Sequence, residues 1–281
     1  MTTAVITGIQ GFIGGHLKKA CELLGWEVHG TTREDTIAST VKLLKSTNPA
    51  YIFHTAAELT DESKMYETNV ALTHAILDYC VLLPQGKKPN KLVIFGSSSE
   101  YGRKTKPSAE TDALEPETIY EGTKAAATYL ARSYSITYNI PTVVIRPFTV
   151  YGQGEKFKKL IQVLLKLPKE IELSAGVHDY IYITDFIDAV FKIINTPRAT
   201  PFDIVNVGTG KQTTNSEVVK LIEKYTGHSF CTKPRPSKRY DSDTWVCDTT
   251  YSSAEYGLKP KYSIEDGLKF LVSDLYNGTH R

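Results

Sequence analysis

Short apolar runs at residues 4–7, 26–30, 50–54, 91–96 and 141–146 alternate with longer, helix-like stretches through about residue 150. Runs of four to six apolar residues bounded by turn formers read as buried strands. Strands alternating with helices predict a parallel sheet covered on both faces. Pro141 stands at the start of the fifth run, a position where a strand tolerates proline. The interval between the second and third runs is short, and a further strand there is only weakly signalled. Beyond Tyr151 the alternation loosens. Helices are expected over 156–167, 184–195 and 216–225, with a strand over 202–207. Helices near 64–83 and 118–138 carry more apolar residues than one buried face requires.

The glycine pattern makes this picture specific. The chain opens Ala4-Val-Ile-Thr-Gly8-Ile-Gln10-Gly11-Phe12-Ile13-Gly14, a strand running through a glycine turn into a helix. Gly8 permits the turn, Gly11 lets a pyrophosphate approach the backbone, and Gly14 allows the helix to pack closely on the strand. Free N–H groups at the helix start favour phosphate. The spacing is G-x-x-G-x-x-G rather than G-x-G-x-x-G. The expected fold is therefore α/β, a Rossmann-type doubly wound parallel sheet. Residues 1–150 would form the dinucleotide-binding domain, with returning segments near 177–207. Residues 151–281 would form mainly a smaller, discontinuous carboxyl-terminal substrate lobe. The second strand ends in Gly30-Thr31-Thr32-Arg33. Arg there suits a 2′-phosphate and an acidic residue a free 2′-hydroxyl. Thr32 and Arg33 thus point to NADP(H), with NAD(H) as the alternative because Glu34 and Asp35 follow closely.

Candidate chemistry lies further along. Tyr120 precedes Lys124 by four residues in a helix-forming stretch, so both share a face. A phenol of pKa about 10 exchanges protons poorly at neutral pH. A nearby ammonium is expected to lower that value and make Tyr120 a general acid or base. Alone, such a pair is commonly a half-buried tyrosine and a solvated lysine. Here it follows the strand Lys91–Gly96 and the run Ser97-Ser98-Ser99-Glu100-Tyr101-Gly102. A hydroxyl just past a strand's carboxyl end faces the ligand crevice and can steady a developing oxyanion. Which of the three serines does so is not fixed by position alone.

Together these motifs resemble the extended short-chain dehydrogenase/reductase family of the NAD-dependent epimerase/dehydratase type, whose members act on nucleotide-linked sugars. The resemblance spans nearly the whole chain. Phe53-His54-Thr55-Ala56-Ala57, Glu67-Thr-Asn69 and Arg146-Pro147-Phe-Thr149-Val-Tyr-Gly match its landmarks. So do Asp179–Asp185, Val205–Gly210 and Tyr256–Gly267. It implies cofactor contacts at Thr55, Ala56, Ala57, Asn69 and Pro147 beside those above. It selects Ser97 as the active hydroxyl, four residues before Tyr101, with Tyr120 and Lys124 as its catalytic partners. Substrate contacts are expected from Ser98, Ser99, Glu100, Thr149 and the basic residues Arg235 and Arg239.

Departures from the family pattern narrow the chemistry. Ser98 and Ser99 replace the acid and base of the 4,6-dehydratases. Ser99 also stands where epimerising fucose synthases carry cysteine. Thr149 replaces a substrate-contacting asparagine. The best match is to reductases of GDP-4-keto-6-deoxy-sugars, implying hydride transfer to C4 with Tyr120 as proton donor. An NAD-retaining nucleotide-sugar epimerase is the alternative, and a non-catalytic dinucleotide sensor a third reading. Relatives pair two helices in a dimer contact, so a homodimer is expected.

Composition adds exclusions. A net charge of +2 over 281 residues gives no footprint for nucleic acid or membrane. Cys21, Cys80, Cys231 and Cys247 show no metal-ligand spacing. No metal site is expected. Scattered thiols and a first strand in place of a signal peptide suggest a cytoplasmic protein.

Overall fold

The computed structural model describes residues 1–155, 159–236 and 242–278, the last four as backbone only. The chain divides into two compact units. The first comprises Met1–Gly102, Glu110–Pro147 and Val190–Val205; the second comprises Arg103–Ala109, Phe148–Ala189 and Asn206–Arg281.

In the first unit the expected strands form: β1 (Thr3–Thr7), β2 (Glu27–Thr31), β3 (Tyr51–His54), β4 (Lys91–Phe95) and β5 (Thr142–Pro147). Helix α1 (Phe12–Leu23) follows β1, and α2 (Ile37–Thr47) fills the short interval where a strand had weak support. That helix is set by its ends. Thr36 caps Ser39 N–H, and Asn48 terminates it in the left-handed region at φ 40°. After β3 come α3 (Glu62–Met65), a π-helical stretch Tyr66–Ala71 and α4 (Leu72–Leu82). The long α5 (Ile119–Tyr138) precedes β5. Its start is a capping box in which Thr118 and Glu121 exchange bonds with each other's backbone.

The sheet runs β2-β1-β3-β4-β5-β9, where β9 is Phe202–Val207, and the four pairings from β2 to β5 are parallel. Chain order reverses between β1 and β3, which makes their carboxyl ends a ligand crevice. One core cluster joins Val5, Ile52, Leu92, Ile94 and Val144 of the sheet to Leu44, Leu72, Ile76, Leu77, Cys80 and Ala131 of α2, α4 and α5. Each buried Leu, Ile or Val contributes roughly 1.5–3 kcal/mol. All four cysteines are free thiols. Burial pushes the Cys21 and Cys80 thiols up to about 12.

The second unit carries β6 (Thr149–Tyr151), α6 (Leu160–Leu164), β7 (Glu170–Leu173), β8 (Val177–Tyr182) and the first part of α7 (Ile183–Asn195). Next come β10 (Gln212–Thr214), α8 (Asn215–Thr226), β11 (Cys231–Pro234), α9 (Thr250–Tyr256) and α10 (Ile264–Gly278). A three-stranded sheet runs β10-β8-β6, and β11 pairs with β7. Fully buried Asp179 organises the turn after β9. Its carboxylate accepts the backbone N–H groups of Thr209, Gly210 and Cys247 and the Thr209 hydroxyl. Burial raises its carboxyl group despite those bonds.

Candidate active site

β4 ends at Phe95, and Gly96 and Ser97 follow directly. Ser97 caps a short 3-10 turn, its hydroxyl accepting Ser99 N–H at 3.1 Å. Its own N–H donates to Glu100 Oε1 at 2.8 Å. A Cβ on Gly96 would lie 2.4 Å from that oxygen, so only glycine leaves room for the carboxylate. On α5, Tyr120 and Lys124 are one turn apart. The Lys124 ammonium is buried and donates to the Phe95 carbonyl. The Tyr120 phenol shares a hydrogen bond with the Ser97 hydroxyl. The three expected catalytic side chains are therefore gathered at the carboxyl end of β4.

Their electrostatics differ from the sequence-based expectation. Burial raises the Tyr120 phenol, opposed by the bond to Ser97 and assisted by the negative charges of Glu100 and Glu121. The Lys124 ammonium is directed at the Phe95 carbonyl. Burial also lowers Lys124 to about 8, with Glu100 pulling the other way.

Glu100 is corrected as well. Expected at the substrate, it is fully buried. Its Oε2 accepts the Thr128 hydroxyl and Arg146 Nε, each at 2.9 Å. Arg146 also donates to the Tyr101 hydroxyl at 2.8 Å and stacks over that ring. Glu100 thus holds Ser97 from inside the protein. Ser98 is buried beside it, and Ser99 is half-buried.

The glycine turn fits a dinucleotide phosphate cradle. Gly8 sits at φ +69°, and Gly11 N–H donates to the Gly8 carbonyl at 2.8 Å. A Cβ on Gly14 would stand 2.2 Å from the Gly8 oxygen. No side chain caps α1 and its first turn holds no acidic residue, so its N–H groups and dipole stay available to an anion. Gln10 and Gly11 are exposed, and Phe12 and Ile13 half-buried. Across the switch point the Thr55 hydroxyl donates to the Thr7 carbonyl at 2.7 Å and Ala56 N–H to the Thr7 hydroxyl at 3.2 Å. Ala57 and Pro147 are half-buried at the ends of the following turn and of β5.

Asn69 lies in the π-helical stretch. Its Oδ1 accepts Glu58 N–H at 2.8 Å, and its Nδ2 donates to the Glu58 carbonyl and the Thr123 hydroxyl at 3.0 Å each. It ties the post-β3 loop to α5. At the end of β2, Thr32 donates through N–H and hydroxyl to Asp35. Arg33 Nη2 contacts Glu58 Oε2 at 2.8 Å. Sequence reasoning passed over Glu58 as an anchor, and also His54. The buried His54 ring bridges the Thr7 hydroxyl at 2.7 Å and the Thr73 hydroxyl at 2.9 Å. Burial, with Lys124 adding to it, lowers His54 to about 3.

In the second unit, the Thr149 hydroxyl lies 3.5 Å from His178 Nδ1. Arg235 follows β11 and is half-buried, its N–H donating to the Leu173 carbonyl at 3.0 Å. Arg239 lies outside the described residues.

Known proteins resemble this chain in sequence and in fold. Residues 4–208 match the NAD dependent epimerase/dehydratase family. A probable UDP-glucuronate 4-epimerase of Rhizobium meliloti is 27% identical over 264 residues, spanning 83% of this chain and 76% of that protein. A dTDP-glucose 4,6-dehydratase of Haemophilus influenzae is 25% identical over 256 residues, 80% of this chain and 75% of the relative. Among solved structures, MoeE5 in complex with UDP-glucuronic acid and NAD superposes with a TM-score of 0.88 at 23% identity, covering 99% of both chains. The Thermus thermophilus UDP-glucose 4-epimerase complex with NAD gives 0.86 at 21%, covering 98% of this chain and 99% of that one. The glycine cradle, the gathered Ser97, Tyr120 and Lys124, and the match over residues 4–208 lead to one conclusion: the chain is an enzyme of the NAD dependent epimerase/dehydratase family, within the extended short-chain dehydrogenases/reductases.

Proposed function

We propose that this enzyme oxidises and re-reduces C4 of a UDP-linked hexose or hexuronic acid, inverting that carbon, with NAD as its retained cofactor. The observation that carries the reading is the hydrogen bond between Tyr120 and Ser97, one helical turn from the buried Lys124. The first unit would hold the dinucleotide, and the second would serve as the substrate lobe.

A bound nicotinamide dinucleotide supplies the hydride acceptor and donor and a positive charge beside the phenol. The start of α1 would bind its pyrophosphate. Lys124 would turn from the Phe95 carbonyl toward the ribose hydroxyls while remaining close to Tyr120. Ser97 steadies the C4 oxygen as charge develops on it. Tyr120 takes the C4 hydroxyl proton and later returns it. Burial keeps the phenol protonated until these cationic neighbours are in place, which confines proton transfer to the assembled complex. Thr149 and Arg235 are proposed sugar and diphosphate contacts, with Ser98 and Ser99 beside the reacting carbon.

The relatives favour inversion over the simple 4-keto reduction first expected, since a probable UDP-glucuronate 4-epimerase and a UDP-glucose 4-epimerase are among them. The NADP(H) preference loses its main support, because Arg33 is engaged by Glu58. Reduction remains the second reading on one observation: neither Ser98 nor Ser99 offers a carboxylate for chemistry at C5. Incubation with UDP-glucuronic acid and UDP-glucose plus NAD+, followed by separation of C4 epimers, tests the first reading. Oxidation of NAD(P)H by 4-keto sugar nucleotides without inversion would support the second.

A homodimer through the α4 and α5 faces is part of the proposal. Tyr66, in the π-helical stretch that leads into α4, and Tyr129 and Ile136 on α5 are 69%, 56% and 52% exposed, large apolar surface for a lone subunit. No described helix is long and apolar enough to cross a membrane. The proposed setting is the cytoplasm.

A further inference from the structure

The pair formed by Arg33 and Glu58 has no part in the chemistry above, yet it stands at the end of the sheet where the adenosine ribose of a dinucleotide is read. Arg33 lies two residues past β2 and Glu58 four past β3, on either side of β1 and its glycine turn. An arginine at that point ordinarily suits a 2′-phosphate.

Here the arginine is already engaged. Glu58 is fixed independently of it. Its backbone is held on both sides by Asn69. Its Oε1 accepts the N–H groups of Leu59, Thr60 and Asp61 and the Thr60 hydroxyl. Burial works to raise the carboxyl group, but these bonds and the Arg33 charge hold it below its usual range. The remaining oxygen, Oε2, meets Arg33 at 2.8 Å. The Glu58 side chain is 7% exposed and that of Arg33 80%. A pair so open to water adds little stability. Its effect is on local charge. The neighbouring cation, Lys64, is paired with Asp61 at 2.9 Å. Segments 33–35 and 58–64 together hold Glu34, Asp35, Glu58, Asp61 and Glu62 against Arg33 and Lys64.

We infer that Glu58 is a cofactor-specificity residue: it neutralises Arg33 and so turns a site with the arginine of an NADP-binding protein into one that selects NAD. The inference rests on the dinucleotide reading of the glycine turn and adds a residue that this reading does not contain.

Equilibrium binding of NAD+, NADP+ and ADP-ribose, followed by titration calorimetry, tests it without reference to turnover. The wild-type protein should bind NAD+ at least about tenfold tighter than NADP+. Glu58→Gln keeps an oxygen for the loop N–H groups but removes the charge. It should tighten NADP+ binding about five- to tenfold while NAD+ changes less than twofold, and the gain should shrink as salt is raised. Arg33→Leu, at an exposed position, should erase that gain when combined with Glu58→Gln. An unchanged NADP+/NAD+ ratio in Glu58→Gln with intact NAD+ binding overturns the inference alone; a wild type that prefers NADP+ overturns it together with the proposed NAD cofactor. Failure of all three ligands to bind the wild type overturns the dinucleotide reading and the inference with it.

Discussion

The Glu100 carboxylate accepts the Ser97 backbone N–H at 2.8 Å. The same buried group holds Arg146, whose side chain is 2% exposed. One carboxylate thus anchors the hydroxyl-bearing turn after β4 to β5. Removing it would leave an uncompensated guanidinium in the interior. Glu100→Ala should cost about 3–5 kcal/mol in urea unfolding. A loss below about 1 kcal/mol would show that the pair is not confined as described.

His54 should remain neutral across the working range. The Thr73 hydroxyl gives its proton to the Asn69 carbonyl and must therefore accept from His54 Nε2. The Thr7 hydroxyl accepts Ala56 N–H and is free to donate to Nδ1. This fixes the Nε2–H tautomer. Nitrogen NMR should show that tautomer unchanged from about pH 4.5 to 8, given a folded value of about 3. Between about pH 6.5 and 3 the unfolded chain binds a proton the folded one refuses, so this group lowers stability as pH falls. An imidazolium signal at pH 6 would contradict the arrangement.

Lys124 should be held at a thermodynamic cost. Its folded value of about 8 lies below that of a free lysine. Below pH 8 both states are protonated and the penalty is fully present. Between about pH 8 and 10.5 the folded lysine releases its proton while the unfolded one keeps it, so stability rises with pH. Lys124→Met should be more stable than wild type at pH 7 by about 1–3 kcal/mol. That advantage should narrow toward pH 10. A variant less stable than wild type at pH 7 would mean the bond to Phe95 outweighs desolvation.

What could be read in the sequence was local. The five strands follow from runs of β-branched and apolar residues, and the helix over 118–138 from its helix-forming composition, while its capping box of Thr118 and Glu121 emerges in the structure. Tyr120 and Lys124 could be paired because helical spacing brings them together. Helix α2 was hidden, since Ile37–Thr47 carries serine and threonine where a clear apolar stripe would otherwise stand. The buried partners were hidden for a different reason. Glu100 and Arg146 are 46 residues apart, and Arg33 and Glu58 are 25 apart, so no local period joins them. Glu100 read as a substrate contact because the family resemblance implies one for the run Ser98-Ser99-Glu100. Its own orientation is set by a partner on another strand. The Tyr120 shift was misjudged because proximity to Lys124 was legible and burial was not.

The apolar faces near α4 and α5 make a concentration-dependent assembly testable. Light scattering should give a dimer, and Tyr129→Glu with Ile136→Glu should shift it to monomer without loss of secondary structure. A wild-type monomer at working concentration would remove the dimer.

The central claim is that Tyr120 moves the proton at the reacting carbon, and Tyr120→Phe measures it most directly. Turnover of UDP-glucuronic acid or UDP-glucose to its C4 epimer should fall about 10²–10⁴-fold. NAD+ affinity should stay within about threefold of wild type. Epimer formation at a near-normal rate in that variant would contradict the account.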